Sequence, residues 1–247
     1  MGILKSFSSF FIRDKEAKEN APSLISRATR VKPSSQNMLE AEIQDHGQWV
    51  PVQILNFSAT GFSIDSFPRE VETDIPFRMR LESASFQQEL EASFTRKGPK
   101  NIGGKFLSHL DVMKFFTQQT YALELEASQL KKVNSSVMKS EMDGEPQWFF
   151  SPSNYELYFV ANAVRVLRFH MAMEKFYLEW KNGKLSVGII HRSEMKSSGM
   201  GVKASDLLQI SENGPTSAQL DEARRFIFNI EGLEPRYSTA LLEILKV

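Results

Sequence analysis

Two arginines and a short polar motif are the residues of this chain whose types and spacing could bind a ligand. Arg27 and Arg30 precede the sequence N-F-S-A-T-G, which begins at Asn56 and includes Ser58 and Gly61. A guanidinium group presents a planar fork of N–H donors that bonds two phosphate oxygens at once. The motif adds an amide, a hydroxyl and a residue without a side chain. This combination suits a small phosphate-containing ligand.

Short β-strands must position these residues. Apolar and polar residues alternate in the first half of the chain, and turn residues recur every 8–12 positions. The pattern predicts six strands, at about residues 39–43, 49–55, 61–65, 75–81, 86–94 and 102–107. Short strands with this spacing predict an antiparallel barrel or sandwich.

The order of these features resembles the PilZ domain, a small bacterial β-barrel that binds cyclic di-GMP. The resemblance rests on the arginines, the N-x-S-x-x-G motif and the sequence I-G-G-K-F-L at the expected barrel end, and it covers roughly residues 24–110. It implies that Arg27 and Arg30 clamp the phosphates and stack on guanine. It also implies that Asn56, Ser58 and Gly61 line the floor of the site, and that the output concerns motility, adhesion or the cell envelope.

The arginine spacing departs from the family pattern. PilZ domains place two arginines four residues apart, whereas Arg30 has Ser26 at that position and Arg27 as its nearest basic neighbour. In an extended segment, a shift of one residue turns a side chain to the opposite side. Losing one charge-assisted contact costs about 1.5–3 kcal/mol, or about one to two decades in affinity. Two functions therefore stay open: a cyclic di-GMP effector that acts on a protein partner, and a degenerate adaptor that binds proteins and not nucleotide.

The second half of the chain predicts a different unit. An apolar periodicity predicts one long helix over 110–132, and the polar stretch 133–146 predicts a domain boundary. Further strands are expected at about 156–161, 164–173, 176–180 and 184–190, with Asn182-Gly183 as a hairpin turn. Two helices close the chain, over 218–229 with Ser217 as the cap, and over 238–246.

These patterns predict an α+β protein of two domains. The N-terminal antiparallel PilZ-like β-barrel would connect through a linking helix to a C-terminal α+β domain, which contains an antiparallel sheet and two terminal helices. The predicted bounds are 1–23 for an N-terminal helix and linker, 24–132 for the barrel with its long helix, and 147–247 for the C-terminal domain.

The N-terminus predicts an amphipathic helix over residues 3–12, with Ile3, Phe7, Phe10 and Phe11 on one face. Such a helix could contact a membrane surface or a partner, or pack on its own domain. Residues 13–23 are polar and charged, as in a linker. No apolar run reaches the length of a membrane helix, and the start of the chain lacks the features of a signal peptide.

Composition limits the remaining functions. The chain holds 30 Lys+Arg and 30 Asp+Glu residues, so no overall charge favours nucleic acid. It has no cysteine, which excludes disulfides and thiol catalysis and fits a cytoplasmic protein. The four histidines have no metal-ligand spacing, and the acidic residues Glu124 and Glu126 are predicted to be solvated. We therefore expect a non-enzymatic protein without metal or cofactor.

Overall fold

The structure, a computed structural model, describes residues 28–138, 143–163, 165–190, 208–211 and 213–246. Within these residues the chain forms thirteen strands and four α-helices, which confirms the α+β class. The predicted N-terminal helix, the linker that follows it and Arg27 lie outside the described residues.

Six antiparallel strands close into a barrel in the first half of the chain. They are β1 (Glu40–Asp45), β2 (Gln48–Ser58), β3 (Gly61–Ile64), β4 (Pro76–Ser83), β5 (Phe86–Lys97) and β6 (Ile102–Phe106). The order around the barrel is β1-β2-β3-β6-β5-β4, and β4 pairs back with β1. All six predicted strands and the antiparallel barrel are confirmed. Closure leaves no free sheet edge along the barrel.

Helix α1 (Leu110–Thr120) closes one end of the barrel. Its Phe116 is buried. The centroid of the Phe116 ring lies 3.8 Å from that of Phe86 and 6.2 Å from that of Phe57. The single helix predicted over 110–132 is instead two helices, because α2 (Ala122–Ser128) begins after a break at Tyr121. Tyr121 is fully buried, and its hydroxyl donates a hydrogen bond of 3.2 Å to the Asn37 carbonyl. The buried ring fixes the point at which the chain leaves the barrel.

Seven antiparallel strands form a second sheet, in sequential order. They are β7 (Lys131–Lys132), β8 (Glu145–Phe150), β9 (Glu156–Ala161), β10 (Val166–Ala172), β11 (Phe176–Lys181), β12 (Lys184–Ile190) and β13 (Leu208–Ile210). Asn182 and Gly183 connect β11 to β12 with φ angles of 54° and 75°. Two successive positive φ angles define the hairpin turn that the Asn-Gly pair predicts.

Two helices, α3 (Ser217–Asn229) and α4 (Pro235–Ile244), share one core with this sheet. Phe159 of β9 and Phe226 of α3 are fully buried in that core. The predicted cap of α3 is wrong by one residue, because Thr216 caps the helix in a capping box with Gln219. Helix α4 begins at Pro235, earlier than predicted, since proline is well tolerated in the first turn.

Helix α2 lies between the two cores. Leu125 packs against the barrel cluster, whereas Ala127 belongs to the cluster of the second sheet. Glu124 is fully buried, so the prediction that it is solvated is wrong. Its carboxylate accepts hydrogen bonds from Arg225 of α3, at 2.7 Å from Nε and 3.0 Å from Nη2, and from Asn37 at 3.1 Å. The ion pair joins α2 to α3 beside the barrel.

Candidate functional site

A β-bulge in β2 directs Asn56 to the outer surface of the barrel. Ile54 pairs with Ile64 and Asn56 pairs with Ser63, so the register shifts between Ile54 and Asn56. Ile54 and Phe57 are both buried although they stand three residues apart. Strict alternation would place only one of them inside, and the extra residue of the bulge allows both. Asn56 consequently lies outside and is half-buried.

Arg30 lies beside Asn56 because the segment before β1 pairs with the end of β2. The Val31 and Phe57 amides each donate to the other residue's carbonyl, at 2.8 and 2.9 Å. Val31 is fully buried, whereas Arg30 next to it is exposed. Arg30 Nη1 donates a hydrogen bond of 2.7 Å to Asn56 Oδ1. The structure thus brings together one predicted arginine and the first residue of the predicted motif.

Ser58 and Gly61 occupy the turn between β2 and β3. Ser58 is buried, its Oγ accepts from the Thr60 amide at 3.3 Å, and the hydroxyl donates to the Gly61 carbonyl at 3.4 Å. A Cβ on Gly61 would lie 2.6 Å from the Gly104 carbonyl oxygen. The neighbouring strand β6 therefore requires glycine at this position. Both residues shape the turn, and their contact with a ligand stays a prediction.

Three residues outside the sequence motif lie in line with Asn56, and they are Ser63, Gly103 and Arg96. Ser63 pairs with Gly103, and Gly103 pairs with Arg96 across a second bulge, between Phe94 and Arg96. A Cβ on Gly103 would lie 2.8 Å from Arg96 Nε and 2.9 Å from its Cγ, so the arginine side chain lies across β6. We call Asn56, Ser63, Gly103 and Arg96 the outer row. It crosses β2, β3, β6 and β5 in that order.

The Ser63 hydroxyl is an unmatched polar group in the outer row. Ser63 is 0% exposed, and its Oγ has no hydrogen-bond partner among the described residues. Buried polar atoms without a partner are rare in folded proteins. The predicted strand over 61–65 already implied that Ser63 faces away from Phe62 and Ile64, because alternate residues point to opposite faces. Sequence reasoning nevertheless missed it as a site residue.

The charges near the outer row favour an anion. Arg30 and Arg96 are both exposed, and Lys105 lies opposite Gly61 on β6. Lys105 Nζ is 3.3 Å from Asp74 Oδ1, with the two side chains 48% and 71% exposed. An ion pair as exposed as this one contributes little and can exchange its partner. Three cationic side chains therefore lie on this face of the barrel.

An open cleft of about 660 Å³ lies on another part of the barrel, between residues 33–42 and strands β2 and β4. Its lining includes Glu40, Glu42, Glu82 and Arg80. Arg80 is engaged with carboxylates, at 3.1 Å from Glu42 and 2.7 Å from Glu89. Three carboxylates around one paired arginine disfavour a phosphate. Neither Arg30 nor Asn56 lines this cleft.

The segment that carries Arg30 also contacts the C-terminal half of the chain. Asn229 of α3 is buried, and its Oδ1 accepts from the Lys32 amide at 2.7 Å. The Asn229 Nδ2 group donates to the Lys32 carbonyl at 3.2 Å. One residue, Val31, therefore separates the exposed Arg30 from Lys32, whose backbone is held by Asn229 of α3.

Within the described residues, no group of three or more His, Cys, Asp or Glu side chains is placed to hold a metal ion. None of the helices in that part of the chain is both long and apolar enough to cross a membrane.

Comparisons with known proteins give distant structural matches, among them a Legionella and a Borreliella protein. No family model matches the chain, and no curated protein matches it. The uncharacterised Legionella protein Lpg0364 is 16% identical, with 38% of this chain and 94% of that chain covered and a TM-score of 0.31. The Borreliella burgdorferi PlzA protein, solved in complex with c-di-GMP, is 12% identical, with 81% and 94% covered and a TM-score of 0.29. At these scores the matches assign neither a fold nor a ligand to this chain. The closed six-stranded antiparallel barrel itself is consistent with a PilZ-like fold.

Proposed function

We propose that this protein is a non-enzymatic cyclic di-GMP effector, in which ligand binding at the barrel surface changes how the protein meets a protein partner. The observation that carries the proposal is the hydrogen bond of 2.7 Å between Arg30 and Asn56. These residues lie 26 positions apart and belong to the two separate parts of the PilZ-like pattern. Their meeting on one exposed surface supports a single site made from both parts.

The chemistry of the site follows from its donors. The Arg30 guanidinium would bond a phosphate of the ligand and exchange the Asn56 amide for it as its acceptor. Asn56 would then turn its amide to a guanine edge, where acceptors and donors lie side by side. The roles proposed for Ser58 and Gly61 are to hold the β2–β3 turn at the floor of the site. Arg27 would add a second guanidinium from the preceding segment.

The Arg30 segment offers a route from ligand to partner. Ligand binding at Arg30 would move an extended segment that is held at Val31 by the barrel and at Lys32 by Asn229 of α3. A ligand shifts a conformational equilibrium only when it binds the two states differently. The proposed difference is whether the Lys32–Asn229 hydrogen bonds survive when Arg30 contacts phosphate.

Calorimetric titration of the full chain with cyclic di-GMP tests the proposal. We expect binding, and a loss of about 10- to 100-fold in affinity for Arg30→Ala, since one charge-assisted contact contributes about 1.5–3 kcal/mol. Arg78→Ala is the matched control, because it removes an equally exposed arginine from β4. Absence of any heat with the unaltered chain at tens of micromolar ligand would overturn the proposal.

The second candidate, a degenerate adaptor that binds protein and not nucleotide, has its own support. Leu107, just before α1, and Leu110 and Phe115 within it are 41%, 42% and 66% exposed. Large exposed apolar side chains are available for protein contacts. The same titration separates the candidates, because an adaptor gives no heat with cyclic di-GMP and the same result for Arg30→Ala.

A further inference from the structure

We infer that Arg96 and Ser63 are ligand contacts of the same site, and that Arg96 supplies a further guanidinium group for the ligand, one that does not depend on the spacing of Arg27 and Arg30. The inference rests on the proposed binding of cyclic di-GMP. It assigns a role to two residues outside the arginine pair and outside the N-x-S-x-x-G motif. It also answers the doubt that the spacing of Arg27 and Arg30 raises.

The outer row is long enough to contact a ligand that has phosphates and bases at two ends, as a cyclic dinucleotide does. Neighbouring strands lie about 4.8 Å apart, so three strand intervals separate the Cα atoms of Asn56 and Arg96 by roughly 14 Å. The Arg96 side chain lies over Gly103, towards Ser63, and this brings its guanidinium closer to Arg30. A cyclic dinucleotide carries two phosphates and two bases, so it can contact both guanidinium groups at once.

The position of Arg96 suits contact with a ligand, and its side chain forms no polar contact that would stabilise the described part of the fold. It is exposed, and it makes no ion pair or hydrogen bond with another residue of the described part of the chain. Gly103 beneath it provides the space in which the side chain lies flat against β6, since any Cβ there would displace it. The stem of Arg96 thus packs on β6 while its charged head stays in water, where a ligand can contact it.

Ser63 gives independent support. Its buried hydroxyl lacks a partner among the described residues, and an unsatisfied buried hydroxyl lowers stability. Ser63 lies between Asn56 and Gly103 in the outer row, directly between the two arginines. Because Ser63 is 0% exposed, a ligand reaches its hydroxyl only when neighbouring side chains move aside. A phosphate or base that then spans the row would satisfy this hydroxyl, which packing alone does not.

The test titrates cyclic di-GMP into full-length variants. We expect Arg96→Ala to bind about 10- to 100-fold more weakly than the unaltered chain, as for loss of one charged hydrogen bond. Ser63→Ala should bind several-fold more weakly while its thermal unfolding midpoint stays equal or rises, because no protein contact is lost. Arg78→Ala should bind as the unaltered chain does.

Gly103→Ala gives a second, indirect test. The three atoms nearest to the new methyl group all belong to the flexible Arg96 side chain, so the barrel should fold normally. Arg96 would be displaced from the outer row, and affinity should fall although no ligand-binding group has been removed.

The outcomes separate the inference from the proposed function. If the unaltered chain binds, Arg30→Ala loses binding, and both Arg96→Ala and Gly103→Ala stay within twofold, the inference is overturned and the proposed function stands. If the unaltered chain gives no binding, both are overturned.

Discussion

The barrel and the seven-stranded sheet use irregular pairing differently. The sheet pairs β10, β11 and β12 without interruption, and its described pairs contain one register shift, between Val166 and Arg168. The smaller barrel contains two register shifts, at Asn56 and at Arg96, and both direct a polar side chain into the outer row. Bulges commonly re-aim side chains next to functional sites. The pairing of the sheet is therefore regular around its core, whereas the barrel wall is irregular at the outer row, where the proposed ligand would bind.

Breaking the Glu124–Arg225 ion pair between α2 and α3 should lower stability the most, because this pair joins the two regions. Burial alone lowers the pKa of Arg225, but the hydrogen bonds and charge of Glu124 raise that pKa above its ordinary value. The Arg225 guanidinium therefore stays charged. We expect Arg225→Ala to lower the free energy of unfolding by about 3–5 kcal/mol, because the fully buried carboxylate loses its charged partner.

Urea unfolding followed by fluorescence and by far-UV circular dichroism measures this loss. Arg236→Ala is the control, because its ion pair with Glu234 is exposed and should contribute less than about 1 kcal/mol. Similar losses for the two variants would show that the regions do not depend on the Glu124–Arg225 contact.

Glycines that face aromatic rings lie in both the barrel and the sheet, and substituting them should lower stability by an intermediate amount. A Cβ on Gly104 would overlap the fully buried Phe62 ring in the barrel. A Cβ on Gly188 would overlap the Tyr177 ring, which is half-exposed on the sheet and can turn towards solvent. Gly104→Ala should therefore lower stability by about 1–3 kcal/mol through overpacking, and Gly188→Ala by less. Thermal unfolding of the two variants shows which substitution lowers stability more. A greater loss of stability in Gly188→Ala than in Gly104→Ala would contradict the prediction.

The contact between Asn229 and Lys32 is expected to stabilise the fold less than the contacts above. Its proposed role is to transmit ligand binding from the Arg30 segment to α3. Asn229→Ala leaves the Lys32 amide and carbonyl without their partner and should cost about 1–2 kcal/mol. Affinity for cyclic di-GMP should change little, while the ligand-dependent change in hydrogen exchange of α3 should disappear. Arg236→Ala should keep that change. If the ligand still alters hydrogen exchange of α3 in Asn229→Ala, communication does not pass through this contact.

Local pattern was sufficient to predict much of the fold. Alternation predicted all six barrel strands, because one face of each strand must enter the core. The Asn182-Gly183 pair predicted its hairpin, since both residues tolerate the positive φ angles that the turn requires. The cap of α3 and the start of α4 were misplaced by a few residues, which is where competing polar side chains such as Thr216 decide the boundary.

The sequence alone determined the alternation, the turns and the polar motif, all of which depend on neighbours along the chain. Only the tertiary structure decided that Tyr121 interrupts a helix, that Glu124 is buried with Arg225, and that Arg96 lies in line with Asn56. Each of these depends on a partner far along the chain. The position of Arg96 requires the pairing of β3 with β6 and a bulge on either side, and no local periodicity encodes which strands become neighbours when a barrel closes.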